Sequence, residues 1–210
     1  MGIGKKFDQI AEKYDTPDKL ERSDVFVKTI LKHIPVKKNF KVLDVGAGTG
    51  TLDIILSAYV EKIYACDLSE GMLSVFRSKI EKMGIKNIKI FKKDIFNDDI
   101  NIKDFSLVIT SMTLHHIEDT FKFVSKLSSY LKNGGYLVVF DLEKEDGTFH
   151  SDSSDVKHFG FERSEVENMF RSAGLEFIDY QTAYTIEKDR NGRVSKYPVF
   201  FSYGRKSLNT

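Results

Sequence analysis

Between Phe40 and Asp141, short apolar runs alternate with segments of helical period, the order that a parallel α/β sheet produces. Lys41–Val45, Lys62–Asp67, Ile88–Phe91, Phe105–Ser111 and Tyr136–Asp141 are rich in Val, Ile, Leu, Tyr and Phe. Each is short enough for a strand buried on both faces. Leu52, Ile55, Leu56 and Tyr59 recur with the spacing of one apolar helix face. Met72, Leu73, Phe76, Ile80 and Met83 repeat it behind Ser69, a predicted N-cap. Val124, Leu127 and Leu131 mark a further helix, with Lys132-Asn133-Gly134-Gly135 as its expected stop.

The two ends depart from this pattern. Thr16-Pro17-Asp18 has the cap, the first-turn proline and the first-turn acid of a helix start, and Val27, Ile30, Leu31 and Ile34 give that helix an apolar face before Pro35. Arg163–Ala173 is predicted helical with Gly174 as its stop. Glu176–Glu187 and Val194–Arg205 follow as strand-like stretches around Asp189-Arg190-Asn191-Gly192-Arg193, a hairpin turn. The expected fold is α/β, a Rossmann-like doubly wound seven-stranded sheet, mostly parallel, with a C-terminal antiparallel hairpin and helices on both faces.

At 210 residues and 24.1 kDa the chain suits one domain, long enough to bury a core without disulfides or metal. Hydrophobic residues at 41% and charged residues at 30% exclude a disordered chain, and no apolar run approaches the ~20 residues of a bilayer span. No signal-peptide core follows Met1–Lys6, and a single cysteine, Cys66, leaves neither a disulfide framework nor a Cys-based zinc site, so the expected compartment is the cytoplasm and no metal site is expected. A net charge of +1 with interleaved acids and bases carries no electrostatic footprint for nucleic acid or a membrane.

The strongest chemical signal is Asp44-Val45-Gly46-Ala47-Gly48-Thr49-Gly50, between a predicted strand and a predicted helix. Glycines at such a crossover let the backbone turn tightly and approach a ligand. A dinucleotide fingerprint would need Gly or Ala where Thr51 stands, and a P-loop would need Lys after Gly50. Neither fits, and the Asp44 carboxylate would repel a phosphate. Asp67, at the end of the second strand, is placed to accept from both ribose hydroxyls, and Asp94, after the third, to accept from an adenine amino group. Acids at successive strand ends of one sheet edge describe a site for an adenosine without phosphate.

These residues resemble the class I S-adenosylmethionine-dependent methyltransferases, most closely the small-molecule branch that includes quinone-biosynthesis enzymes. The resemblance takes in Phe7–Asp15, Val42–Gly50, Cys66–Leu73, Leu114–Asp119 and Leu131–Leu137. It implies S-adenosyl-L-methionine as cofactor and S-adenosyl-L-homocysteine as product. It implies that Asp44, Gly46, Ala47, Gly48 and Gly50 hold the methionine moiety and that Asp67 binds the ribose. Leu68 and Met72 would line the adenine, Asp94 and Ile95 would meet its edge, Ser111 and Met112 would border the methyl group, and Tyr14 would close over the cofactor. Residues 1–38 are then a helical lid, 39–141 the cofactor-binding core, and 142–210 an acceptor-side loop, helix and hairpin.

His115 and His116, just past the fourth strand, are the candidate catalytic residues, because imidazole titrates near neutrality. His150 and His158 flank Ser151–Lys157, too polar for a core and suited to a substrate-side loop. Ser111-Met112-Thr113-Leu114 stands where amino-methylating nucleic-acid enzymes of the family carry an Asn/Asp-Pro-Pro-Tyr/Phe run, and there is no Pro-Cys nucleophile. The expected reaction is methyl transfer to a small-molecule acceptor by direct displacement. A protein or RNA acceptor, or a non-catalytic module that binds adenosylmethionine or adenosylhomocysteine, is the alternative.

Overall fold

The computed structural model describes residues 3–98, 100–190 and 192–208. Helix α1 (Ile3–Ile10) runs through a short 3-10 turn, Ala11–Lys13, toward α2 (Pro17–His33). The sheet then builds as β1 (Lys41–Val45), α3 (Thr51–Leu56), β2 (Lys62–Asp67), α4 (Glu70–Lys82), β3 (Ile88–Lys92) and β4 (Phe105–Ser111). A 3-10 turn at Leu114–His116 leads to α5 (Thr120–Ser129), β5 (Leu131–Leu142), α6 (Arg163–Ser172), β6 (Leu175–Arg190) and β7 (Arg193–Lys206).

The seven strands lie in the order 3-2-1-4-5-7-6. β1 pairs in parallel with β2 on one side and β4 on the other, with Leu43 opposite Tyr64 and Val108. β7 inserts antiparallel between β5 and β6, as the hairpin reading expects. Strand order reverses direction between β1 and β4, and in open α/β sheets the crevice outside the strand ends at that reversal is where ligands bind.

Strands buried on both faces need apolar cover on both. On one face α2 contributes Phe26, Val27 and Ile30, joined by its C-cap residue Ile34, with Phe26 stacked on Phe140 of β5 at 3.9 Å between ring centroids. α5 and α6 cover the other face through Phe123, Val124, Leu127, Val166, Met169 and Phe170. The apolar face of α2 is therefore core, and α1 and the turn after it lie outside the main cluster.

Some elements differ from the sequence expectation. Helix α3 stops at Leu56, leaving Tyr59 exposed, and Met83 lies past the end of α4. α5 ends at Ser129, and Leu131, expected in that helix, begins β5 opposite Phe105. The register between β4 and β5 slips after this pair. Gly134, at φ +74, supplies the turn, and a Cβ on Gly135 would stand 2.8 Å from the Phe105 carbonyl oxygen. The two glycines thus serve a strand irregularity rather than a helix stop. The hairpin strands run further toward their turn than predicted, and Asn191 of that turn lies outside the described residues. Ser69 caps α4 as expected, its Oγ accepting from the Met72 N–H at 3.1 Å.

Candidate functional site

The glycine loop leaves β1 by three left-handed residues, Gly46, Gly48 and Gly50, at φ +80, +56 and +72. Two have packing reasons to lack a side chain. A Cβ on Gly46 would fall 2.1 Å from Thr113 Oγ1, and one on Gly50 would fall 2.1 Å from the Phe76 ring. Around Gly48 nothing lies within 4 Å. Its backbone is open on the cleft side, as a loop meant for close approach of a ligand requires.

A cleft open to solvent lies at the C-terminal ends of β1, β2 and β4. Of the residues singled out from the sequence, Tyr14, Gly46, Gly48, Asp67, Leu68, Met72, Asp94, Ile95, Ser111, Met112 and His116 line it. Asp44, Ala47, Gly50 and His115 do not line it. Asp44 is buried beneath the loop, Ala47 donates its N–H to the Cys66 carbonyl, Gly50 faces Phe76, and His115 is turned into the protein. The sequence reading missed Phe7, Phe96, Ile117 and Phe123, which make the lining more apolar and aromatic than the motifs suggested. Met112 takes φ +53, a left-handed conformation that costs a non-glycine residue ~1–3 kcal/mol. Its N–H bonds the Phe140 carbonyl at 2.8 Å, which holds the strained residue at the cleft wall.

Asp67 sits at the end of β2 with both oxygens engaged, Oδ2 accepting from the Gly48 N–H and Oδ1 from the Ser69 N–H, each at 2.8 Å. Burial raises its carboxyl above the ordinary value against the pull of these bonds. Asp94 accepts from the Phe96 N–H at 2.9 Å and from Asn97 Nδ2 at 2.7 Å, so it shapes the turn after β3 as well as lining the cleft.

Asp53, in the first turn of α3, was not anticipated. Helical spacing carries the signal, since Asp53 lies three residues before the buried Leu56. Asp44 and Asp53 are both fully buried, and Asp44 Oδ1 and both Asp53 oxygens have no hydrogen-bond partner among the described residues. Burial pushes the Asp44 carboxyl up to about 7, with Asp53 pulling it down and the Asp67 charge adding to the rise, and burial and the Asp44 charge hold Asp53 well above the usual range. Burial likewise drives the Cys66 thiol far up, which agrees with an inert side chain.

On the other side of the crevice, three imidazoles meet. His115 Nδ1 lies 2.6 Å from Asp141 Oδ1, both side chains fully buried. The Asp141 oxygens also accept from the backbone N–H groups of Leu142 and His115, at 2.7 and 3.3 Å. His116 Nδ1 lies 2.9 Å from the Asp155 carbonyl oxygen, and its ring stands edge-on to Phe7. His150, from the loop after β5, closes the group, its ring centroid 5.0 Å from that of His115. Burial, followed by the other imidazoles, lowers His116 to about 4 and His150 to about 3, so both are neutral at physiological pH. Asp141 stands at the end of a predicted strand, as Asp67 does, and that rule applied once more would have found it. His158 instead reaches the Ile117 carbonyl through Nε2.

The N-terminal segment lies across this arrangement. Asp8 accepts from Ser69 Oγ at 2.6 Å and from the Gly71 N–H at 2.8 Å, fixing α1 to the start of α4. Asp15 accepts from Thr49 Oγ1 at 2.5 Å and from Lys79 Nζ at 2.8 Å, which ties the same segment to the glycine loop. Tyr14 lines the cleft with the Lys19 ammonium 3.4 Å from its ring centroid. Lys6 reaches Asp152 at 2.7 Å in the loop that carries His150.

Known proteins carry the same fold and sequence pattern. A methyltransferase-domain family model matches residues 42–135. An uncharacterized methyltransferase of Schizosaccharomyces pombe is 31% identical over 178 residues, 78% of this chain and 62% of its own length. A demethylmenaquinone methyltransferase of Bacillus mycoides is 26% identical over 144 residues, 66% of this chain and 61% of its own. The chain thus spans less than two thirds of these relatives. The structure of an S-adenosylmethionine-dependent methyltransferase from Aquifex aeolicus superposes with a TM-score of 0.70 at 26% identity, covering 94% of this chain and 97% of that one. With the glycine loop, the strand-end acids and the strand order all in place, the chain belongs to the class I S-adenosylmethionine-dependent methyltransferase family.

Proposed function

We propose that this chain transfers the methyl group of S-adenosyl-L-methionine to a small-molecule acceptor by direct displacement. The observation that carries the reading is the cleft at the strand-order reversal, where the open Gly48 backbone, the Asp67 carboxylate and the apolar pair Leu68 and Met72 converge. Asp67 would bind the ribose hydroxyls, Asp94 and Ile95 the adenine edge, and the Gly46–Gly50 loop the methionine moiety. Asp44 and Asp53, lacking donors of their own, favour a cationic group above the loop, as the methionine ammonium would be. Ser111 and Met112 would border the methyl group, and the segment ending at Tyr14 would act as the lid.

In the displacement the acceptor's lone pair forms the new bond to the methyl carbon, and the carbon–sulfur bond breaks onto sulfur, leaving S-adenosyl-L-homocysteine. Alignment alone supplies up to ~7–11 kcal/mol in well-oriented reactions. His116, neutral and lining the cleft, would take the acceptor's proton, with the His115–Asp141 pair behind it. Phe7, Met112 and Ile117 beside it favour an apolar acceptor. The demethylmenaquinone methyltransferase relative acts, by its name, on a small molecule, which supports that class. No helix among the described residues is long and apolar enough to cross a membrane.

Calorimetry on protein freed of carried-over ligand tests the reading. S-adenosyl-L-homocysteine should bind at least about tenfold more tightly than NAD, a difference of ~1.4 kcal/mol. Formation of S-adenosyl-L-homocysteine from S-adenosyl-L-methionine in the presence of quinol or phenol acceptors should follow. Preferential NAD binding would sink the family role, and cofactor binding without turnover in any extract would leave a binding module.

A further inference from the structure

We propose that His115, His116 and His150 form a binding site for one divalent transition-metal ion of the zinc class, with its open coordination position toward the cleft. The three come from two separate segments, the turn after β4 and the loop after β5, and only the fold unites them. One ring nitrogen of each lies within 4.8 Å of the others, and the ring centroids are 4.1, 5.0 and 5.6 Å apart. Zinc–imidazole bonds of ~2.0–2.1 Å need nitrogens somewhat closer than this, a shift within reach of the half-buried His150 on its loop.

The tautomers suit a metal. A carboxylate and a carbonyl are acceptors only, so His115 and His116 both donate from Nδ1 and keep a lone pair on Nε2. Carboxylate or carbonyl partners on the far nitrogen are the usual support of a metal-bound imidazole, since they fix ring and tautomer. Among the described residues no hydrogen bond occupies the His150 ring. The nearby Lys188 is held over the Phe149 ring at 3.5 Å and by the Phe149 carbonyl at 2.6 Å, and the Asp141 carboxylate offsets the ion's charge. Three histidines with a free fourth position are the ligand set of catalytic zinc sites, where the remaining position holds water or substrate. His116 is the ligand that lines the cleft, so that position faces the acceptor end. On the methyl-transfer reading the ion, occupying His116 Nε2, would replace that imidazole as the group that draws off the proton, and an acceptor hydroxyl held at the open position would lose its proton more readily.

Cobalt(II) serves as the spectroscopic probe. Chelator-treated full-length protein, titrated with cobalt(II), should develop a saturable visible band at one ion per chain, and zinc(II) should displace it. Losing even an outer partner of a metal ligand typically costs 10–100-fold in affinity, so His150→Gln and His116→Gln should each weaken cobalt binding at least about tenfold. His33→Gln, a histidine bonded to Gln181 elsewhere, should change nothing. Circular dichroism checks that each variant folds. No saturable band up to millimolar cobalt, or equal affinity in folded His150→Gln, would overturn the site. S-adenosyl-L-homocysteine calorimetry on the same samples separates the two ideas: cofactor binding without metal binding removes this site alone, and metal binding without cofactor binding removes the methyl-transfer reading alone.

Discussion

Asp44 on β1 and Asp141 on β5 are both fully buried carboxyls near the ends of strands in one sheet, and burial drives both toward the neutral form. They end in opposite states. Asp141 accepts from His115 Nδ1 and from two backbone N–H groups, and His115 and these bonds outweigh burial, so its carboxyl is held below the ordinary value. Asp44 faces a second buried acid, Asp53, and both rise. Depth is the same, so the partners decide. Asp141 has its donors from this chain. Asp44 Oδ1 and both Asp53 oxygens have no such donors among the described residues. Asp67 lies between the two, with two N–H partners and a carboxyl still raised.

The largest effect should come from removing a partner of Asp141. His115→Phe leaves Asp141 buried without its imidazole donor and should cost about 3 kcal/mol of stability at neutral pH, the upper end for a stranded buried acceptor, and less at pH 5 where Asp141 then takes a proton. Urea unfolding at both values checks this, and a pH-independent loss under 1 kcal/mol (about the worth of a neutral hydrogen bond) would mean the pair carries no charge interaction. Next, Asp67→Ala should weaken S-adenosyl-L-homocysteine binding by ~1.5–3 kcal/mol, the worth of hydrogen bonds to a charged group, with the fold intact. Unchanged affinity with a lowered melting temperature would make Asp67 a cap for the turn at Ser69.

The two facing acids make a test through pH. Asp44 and Asp53 have folded pKa values above the unfolded value near 4, so the folded state keeps protons that the unfolded state has lost. Their contribution is full below about pH 4 and declines as pH rises toward 7, by up to ~1.4 kcal/mol per pH unit for each proton. Asp53→Asn removes one titrating group and adds an amide donor beside Asp44. The variant should therefore gain on the wild type as pH goes from 5 to 7, and parallel pH profiles would show that the two acids do not share a proton. The smallest change should follow Asp8→Ala, which frees α1 from Ser69 and Gly71 at an exposed site. Hydrogen exchange in Ile3–Ile10 should quicken there while β1–β5 stay protected, with protection regained on cofactor binding. Uniform loss across the sheet would place α1 in the core.

Local patterning made the strands β1, β2 and β4 legible to the residue, because each is a short apolar run between clear breaks. It failed at Leu131–Gly135, where a helix stop and a strand irregularity use the same glycines and only the Phe105 carbonyl distinguishes them. In the site, the glycine loop and Asp67 were legible because one crossover places both within a βαβ unit. The position of Asp44 and Gly50 away from the cleft was not, since burial depends on what packs over a residue. Asp53 was hidden in a helix whose periodicity marked its neighbours.

By itself the sequence determined the parallel core, its terminal hairpin, the glycine loop after β1 and the acid at the end of β2. Those features rest on residues near one another in the chain, where spacing and conformational preference act directly. Only the tertiary structure decided that His150 meets His115 and His116, that Asp8 and Asp15 fasten the N-terminal segment over the cleft, and that Asp44 Oδ1 has no partner among the described residues while Asp141 is satisfied. Each of these depends on groups from distant segments meeting in a low-dielectric interior, where a partner a few ångströms away reverses the effect of burial and no local pattern records it.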